Sequence, residues 1–252
     1  MRSPEETYEK YTAVGEGKAK LPFSRMFILA LLAGMFIALA GVASTFGNAL
    51  VNRVCGAFIF CGGLAMVLVA GSELFTGNCL LIMPLLDKKV KLSDVLKNWI
   101  VVYIGNFIGA LLVAFLASYS GILDSIAQTA VDISVAKTSL AFVPALFRGI
   151  LCNILVCIAV WMSFSSDKTG DKILTVIFPV TFFVLCGFEH SIADMYYIPA
   201  GMLLNLRLSV CENGADIFGF LVKNLLPVTL GNIIGGCAVG CAYRFVFGGK
   251  KE

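Results

Sequence analysis

The sequence predicts an all-α membrane protein of six transmembrane helices, arranged as two inverted three-helix repeats with the second and fifth helices broken. Three observations carry this. Hydrophobic residues make up 59% of the chain and charged ones 14%, with a mean hydropathy of +0.91, values outside those of soluble domains. Several apolar runs reach the roughly 20 residues that a helix needs to cross a bilayer, and they are continuous rather than alternating, which argues against a β-barrel. The third observation is repetition. Gly71-Ser72-Glu73-Leu74-Phe75-Thr76-Gly77-Asn78 resembles Gly187-Phe188-Glu189-His190-Ser191-Ile192-Ala193-Asp194, each with a glutamate two residues after a glycine and a later proline, Pro84 or Pro199. Downstream of each lies a near-copy of a further segment, Gly105-Asn106-Phe107-Ile108-Gly109 and Gly231-Asn232-Ile233-Ile234-Gly235. Interrupted apolar segments at matching positions of two halves point to a transport site.

Residues 1–25 form a charged segment without the apolar stretch of a secretory signal. The first span is expected at 26–51. The second begins near Cys55, breaks around Gly71–Asn78 and resumes to Leu86. The third covers 98–119 and the fourth 142–164. The fifth begins near Ile173, breaks around Gly187–Ser191 and resumes to Leu206. The sixth covers 217–247, and 248–252 form a tail. Internal repetition makes 1–252 a single transmembrane domain, with 26–247 as its six-helix bundle. Glycine pairs such as Gly105/Gly109 and Gly231/Gly235 read as sites of close helix packing.

Charge sets the orientation. Of the 19 Lys and Arg, 14 precede span one, lie between spans two and three or four and five, or follow span six. The positive-inside rule then puts both termini in the cytoplasm. Three crossings per half is an odd number, so the two halves insert with opposite orientation, and the repeat is inverted.

An ionisable group inside hydrocarbon is a functional-site hypothesis by default. His190, the only histidine, sits in the fifth-span break near the midplane and titrates near physiological pH. Thr76 in the first break is its expected neutral partner. Glu73 and Glu189 are expected to cap the exposed amides of their own breaks rather than meet an anion, which they would repel. Asn106, Asn153 and Asn232 either bond between helices or line a vestibule.

At these motifs the chain resembles the formate–nitrite transporter family, over essentially its whole length. Leu68-Val69-Ala70-Gly71-Ser72-Glu73-Leu74-Phe75-Thr76-Gly77 is similar to the first family signature, and 149–159 (GILCNILVCIA) to the second, with Ile158 where Leu or Val is usual. Gly187–Met195 is similar to the fifth-span motif, with Asp194 where Asn is usual. The resemblance implies an aquaporin-like protomer in a homopentamer, each protomer with its own pore for formate, nitrite, hydrosulfide or related small monovalent anions. It implies that His190 and Thr76 are the central polar pair. It places Phe60, Leu64, Phe75, Val156, Phe183 and Ala193 in two constriction rings, and Lys137, Asn153 and Asn232 in the vestibules. The first break looks closer to nitrite and hydrosulfide members, while Tyr196-Tyr197-Ile198-Pro199 looks closer to formate members.

Other classes fit less well. An aquaporin-like channel for neutral small solutes is the alternative, but such channels carry two Asn-Pro-Ala turns and no Asn-Pro pair occurs. The His190-Ser191 neighbours invite a hydrolase reading, yet adjacent residues diverge on a helix and no Gly-x-Ser-x-Gly elbow is found, so no enzyme is expected. The nine cysteines form no Cys-x-x-Cys pair, so neither a zinc site nor a redox site is expected, and no cofactor. No phosphate-binding loop is found, which predicts a passive or proton-coupled path. Nothing points to nucleic acid; the partners are the anions, protons and membrane lipid. The expected setting is the plasma membrane of a prokaryote.

Overall fold

The computed structural model describes residues 1–248. Among these it contains helices and no strand. Of the expected tail at 248–252, residues 249–252, with Lys250 and Lys251, lie outside the described residues. The helices run α1 (Pro4–Ala19), α2 (Phe23–Leu50), α3 (Arg53–Ala70), α4 (Phe75–Leu86), α5 (Leu92–Tyr119), α6 (Ala127–Thr138), α7 (Phe142–Ser163), α8 (Thr169–Cys186), α9 (Ser191–Leu208) and α10 (Gly219–Phe247). Six of them, α2, α3, α5, α7, α8 and α10, are long and apolar enough to cross a membrane.

Both expected breaks are present and share one cause. Each long helix ends on a glycine with left-handed backbone, Gly71 at φ 75° and Gly187 at φ 71°, where a side chain would be strained. Extended residues follow, and a new helix starts at Phe75 or Ser191. Around the breaks the helices pack in corresponding sets: α2 lies against α3 and α5, and α7 against α8 and α10. The glycine pairs allow this closeness. A Cβ on Gly109 would run into the Leu31 carbonyl of α2, and one on Gly235 into the Ile150 carbonyl of α7. Large apolar side chains such as Ile100, Leu116 and Phe178 stay exposed on the outside of the bundle, as expected of a surface covered by lipid or a neighbouring protomer.

Two helices lie outside the six spans read from the sequence. The first, α1, starts with a capping box in which Ser3 and Glu6 each bond the other's backbone N–H. It docks beside the first break, with Tyr11 fully buried and its hydroxyl donating to the Gly77 carbonyl at 3.4 Å. The second, α6, packs on α9 and carries Lys137 in its last turn. The sixth span also widens into a π-helical turn at Gly219–Leu225, on which Asn224 is fully buried.

Candidate functional site

An interrupted helix inside an apolar bundle leaves backbone donors and acceptors that water cannot reach, so other groups must satisfy them. Here two asparagines do so. Asn106 on α5 accepts from the Phe75 N–H at 2.9 Å and donates to the carbonyls of Ala30 (2.7 Å) and Glu73 (2.9 Å). Asn232 on α10 accepts from the Ser191 N–H at 2.9 Å and donates to the carbonyls of Gly149 (2.8 Å) and Glu189 (3.0 Å). Each asparagine thus ties a break to the first helix of its own half. The backbone repeats the pattern: the Glu73 N–H donates to the Leu29 carbonyl and the Glu189 N–H to the Arg148 carbonyl.

The expected caps Glu73 and Glu189 are therefore corrected. Their side chains leave the break amides to the asparagines and turn to lysines. Glu73 Oε1 accepts from Lys18 Nζ at 2.8 Å, and its Oε2 from Asn78 Nδ2 at 2.7 Å. Glu189 Oε2 accepts from Lys137 Nζ at 2.9 Å and from Asn224 Nδ2 at 3.3 Å. A charged partner offers a carboxylate more than an amide does, and both glutamates are nearly fully buried. The vestibule positions Asn153 and Asn232 are also corrected. Both are fully buried, and Asn153 links the first break to α10 by donating to the carbonyls of Thr76 (3.2 Å) and Asn232 (2.6 Å).

His190 caps the second half-helix. Its Nδ1 accepts from the Ala193 N–H at 3.1 Å, and its Nε2 lies 2.9 Å from Thr76 Oγ1. A backbone amide can only donate, so Nδ1 carries no proton here and the proton of a neutral ring sits on Nε2, facing Thr76. An imidazolium would forfeit the Ala193 cap. The ring stacks at 5.8 Å on Phe183, which meets Phe60 edge-on at 6.0 Å.

Two cavities open toward this pair from opposite sides. One, of about 480 Å³, lies beside α1 and is lined by Lys18, Glu73, Leu64 and Leu74 among others. The other, of about 530 Å³, is lined by Arg53, Lys137, Arg148, Phe60, Phe183, His190 and Ala193. Between them is a void of about 10 Å³ bounded by Ile37, Phe60, Leu64, Leu74, Val156, Val180, Phe183 and His190. That is about the room of one water molecule. Leu64 and Leu74 thus separate the void from the first cavity, while Phe60, Phe183 and His190 separate it from the second. Phe75, expected in a constriction, lines none of these spaces; its ring packs edge-on against Tyr103 at 4.9 Å and Trp99 at 6.3 Å. Its neighbour Leu74 takes that place, because the extended break residue points inward while the first helical residue turns toward α5.

The model of the formate/nitrite transporter family matches residues 5–245. The chain belongs to that family. A probable formate transporter of Methanothermobacter thermautotrophicus is 39% identical over 98% of this chain and 97% of its own length. A formate channel FocA of Haemophilus influenzae is 36% identical over 90% of this chain and 88% of its own. Among solved structures, a pentameric formate channel with formate bound matches with a TM-score of 0.77 and 33% identity, covering 89% of this chain and 97% of that one. An ion channel of the same family matches at 0.83 and 27%, covering 95% and 98%. The family consists of membrane transporters and channels, not enzymes.

Proposed function

We propose that this formate/nitrite transporter family member forms a homopentamer in the plasma membrane of a prokaryote, with both termini cytoplasmic and its two three-helix halves inverted. Each protomer, a single channel domain, conducts small monovalent anions of weak acids such as formate, nitrite or hydrosulfide. The observation that carries this reading is the one-water void between two apolar necks, with the His190 ring on its wall. A hydrated anion does not fit there, and stripping a carboxylate of water without compensation is very costly. A small acid that receives a proton crosses at far lower cost.

The hydrogen bonds around His190 describe a resting neutral ring, which becomes a proton donor once Nδ1 takes up a proton from vestibule water and gives up the Ala193 cap. Nε2–H points toward Thr76 at the void, while Nδ1 is held by the Ala193 amide. Proton transfer from Nε2 of that imidazolium to the arriving anion gives the neutral acid and leaves the ring neutral. The ring recovers a proton from the opposite side or from the departing molecule, so the net movement is of anion plus proton or of anion alone.

His190→Asn tests this. Asparagine can still accept from Ala193 and bond Thr76, so the break stays capped, but it holds no titratable proton. Formate flux into proteoliposomes carrying the variant is expected to lose the pH dependence of the wild type between about pH 5 and 8, where histidine titrates. A variant with wild-type flux across that range removes histidine from the mechanism. Passage of glycerol with exclusion of formate in the wild type removes the anion reading altogether.

A further inference from the structure

The two breaks differ in charge. At the first, one lysine faces one carboxylate: Lys18 and Glu73. At the second, one lysine faces two. Lys137 Nζ lies 2.9 Å from Glu189 Oε2 and 2.7 Å from Asp194 Oδ1. Asp194 is fully buried, and its second oxygen, Oδ2, has no hydrogen-bond partner. Fully ionised, this cluster would hold an uncompensated negative charge inside the membrane, with one carboxylate oxygen bare of any donor. Burial of that kind is avoided by taking up a proton, as when two carboxylates share one site.

Among the described residues, no second buried cation meets the cluster. On α6, beyond Lys137, Asp132 lines the vestibule and is exposed. From the π-helical turn Asn224 donates to Glu189, while Lys223 lies over the Phe218 ring. From α5 comes Tyr103, bonded to Thr229 of α10; from α7 comes Cys152; along α9 itself lie His190 and Tyr197, whose ring faces Lys137 at 5.5 Å. The facing half-helix α4 brings the uncharged Thr76. Arg53 and Arg148 line the same vestibule but are exposed.

We propose that Lys137, Glu189 and Asp194 share one ionisable proton held at Asp194, and that its release turns this cluster from neutral to net negative and so weakens the attraction of the vestibule opposite α1 for anions. This rests on the reading of the protein as an anion path. Protonated, the cluster carries one positive and one negative charge, and Lys137 remains available to an anion in the cavity it lines. When Asp194 loses its proton to vestibule water, the cluster becomes net negative. Asp194 touches no substrate; it acts through Lys137, as a positioning residue that sets the alkaline limit of uptake from this side.

Asp194→Asn keeps the shape and removes the titration. Formate influx from the vestibule opposite α1 is measured for variant and wild type in proteoliposomes, and their ratio is followed from about pH 5 to about pH 8. The ratio is expected to rise on the order of tenfold, the effect of one unit charge about 10 Å from the path at an effective dielectric near 20. A ratio independent of pH overturns the proposal. An infrared measurement on the same membranes separates this from failure of the transport reading. The wild type at about pH 5 should show the carbonyl stretch of an un-ionised carboxylic acid that fades toward about pH 8, and Asp194→Asn should lack it. Absence of that band overturns proton sharing even if formate is carried. Its presence upholds proton sharing even if the wild type carries no formate.

Discussion

The first break and the second solve the same backbone problem in the same way and the charge problem in different ways. In both, a left-handed glycine ends the helix, a buried glutamate and then an extended residue follow, and an asparagine from the third helix of that half clamps the gap. In both, the residue after the glutamate precedes the new helix and borders the central void. That residue is Leu74 at the first break and His190 at the second. The apolar side chain helps to close a neck, while the imidazole brings the one titratable ring of the path. The lysines also come from different places. Lys18 arrives on α1, outside the bundle, with 21% of its side chain exposed; Lys137 arrives on α6, 15% exposed, and serves two carboxylates. A repeated scaffold thus fixes the backbone geometry, and the chemistry resides in what each half attaches to it.

The strongest test of the shared part is loss of the clamps. Asn106→Leu and Asn232→Leu each keep much of the volume but remove three hydrogen bonds to buried backbone groups. Each unpaired group costs about 1–3 kcal/mol, so both variants should lose upward of about 3 kcal/mol and melt well below the wild type in detergent. Similar losses at both positions support equivalence. A tolerated change at one and collapse at the other would break it.

Next in size is the difference in charge. Lys137→Met strands two carboxylates, and breaking a buried ion pair destabilises by about 3–5 kcal/mol at neutral pH. The loss should shrink toward low pH, because the stranded carboxylates are tolerated once protonated. Lys18→Met strands only Glu73, which keeps its bond from Asn78 Nδ2, and should cost about 1.5–3 kcal/mol, the range for a hydrogen bond to a charged group. Thermal unfolding at two pH values checks both. Equal, pH-independent losses would mean that the number of carboxylates per lysine has no consequence.

These differences explain what the sequence could and could not disclose. The spans were legible from continuous apolar runs, and the breaks from Gly71 and Gly187, because backbone requirements leave local traces. The clamps left a trace too: the duplicated Gly105-Asn106 and Gly231-Asn232 segments put both asparagines in register. Their role stayed open because nothing local says which amide an asparagine meets. Counting one residue past Glu73 and Glu189 would have aligned Leu74 with His190 and found the missing neck residue. Lys137 meets Asp194 across 57 residues, and Lys18 meets Glu73 across 55. Such pairings exist only in the folded bundle, so the sequence favoured local capping for the glutamates. Helix α1 lacks an apolar run and its sequence reads as a charged segment; its capping box, Ser3 to Glu6, is the local sign of a helix.

The smallest expected effect concerns how α1 holds on. Two ion pairs join it to the rest of the protein near its ends. Lys18 reaches the buried Glu73, and also Asn78 Oδ1 at 3.3 Å, while Arg2 pairs with Asp167, whose side chain is 70% exposed. Exposed pairs are worth about 0.2–1 kcal/mol, because water and salt screen them. Arg2 also donates to the Phe164 carbonyl at 2.8 Å, which a glutamine can reproduce in part. Arg2→Gln should therefore leave the melting temperature within a degree or two, about what a fraction of a kcal/mol moves in a chain of this length. Amide exchange in Pro4–Ala19 should quicken only slightly, whereas Lys18→Met should quicken it throughout the helix. If Arg2→Gln loosens α1 as much as Lys18→Met does, the exposed pair is the true anchor. The first break would then not depend on α1 for its charge balance, and Lys18 would no longer be the counterpart of Lys137.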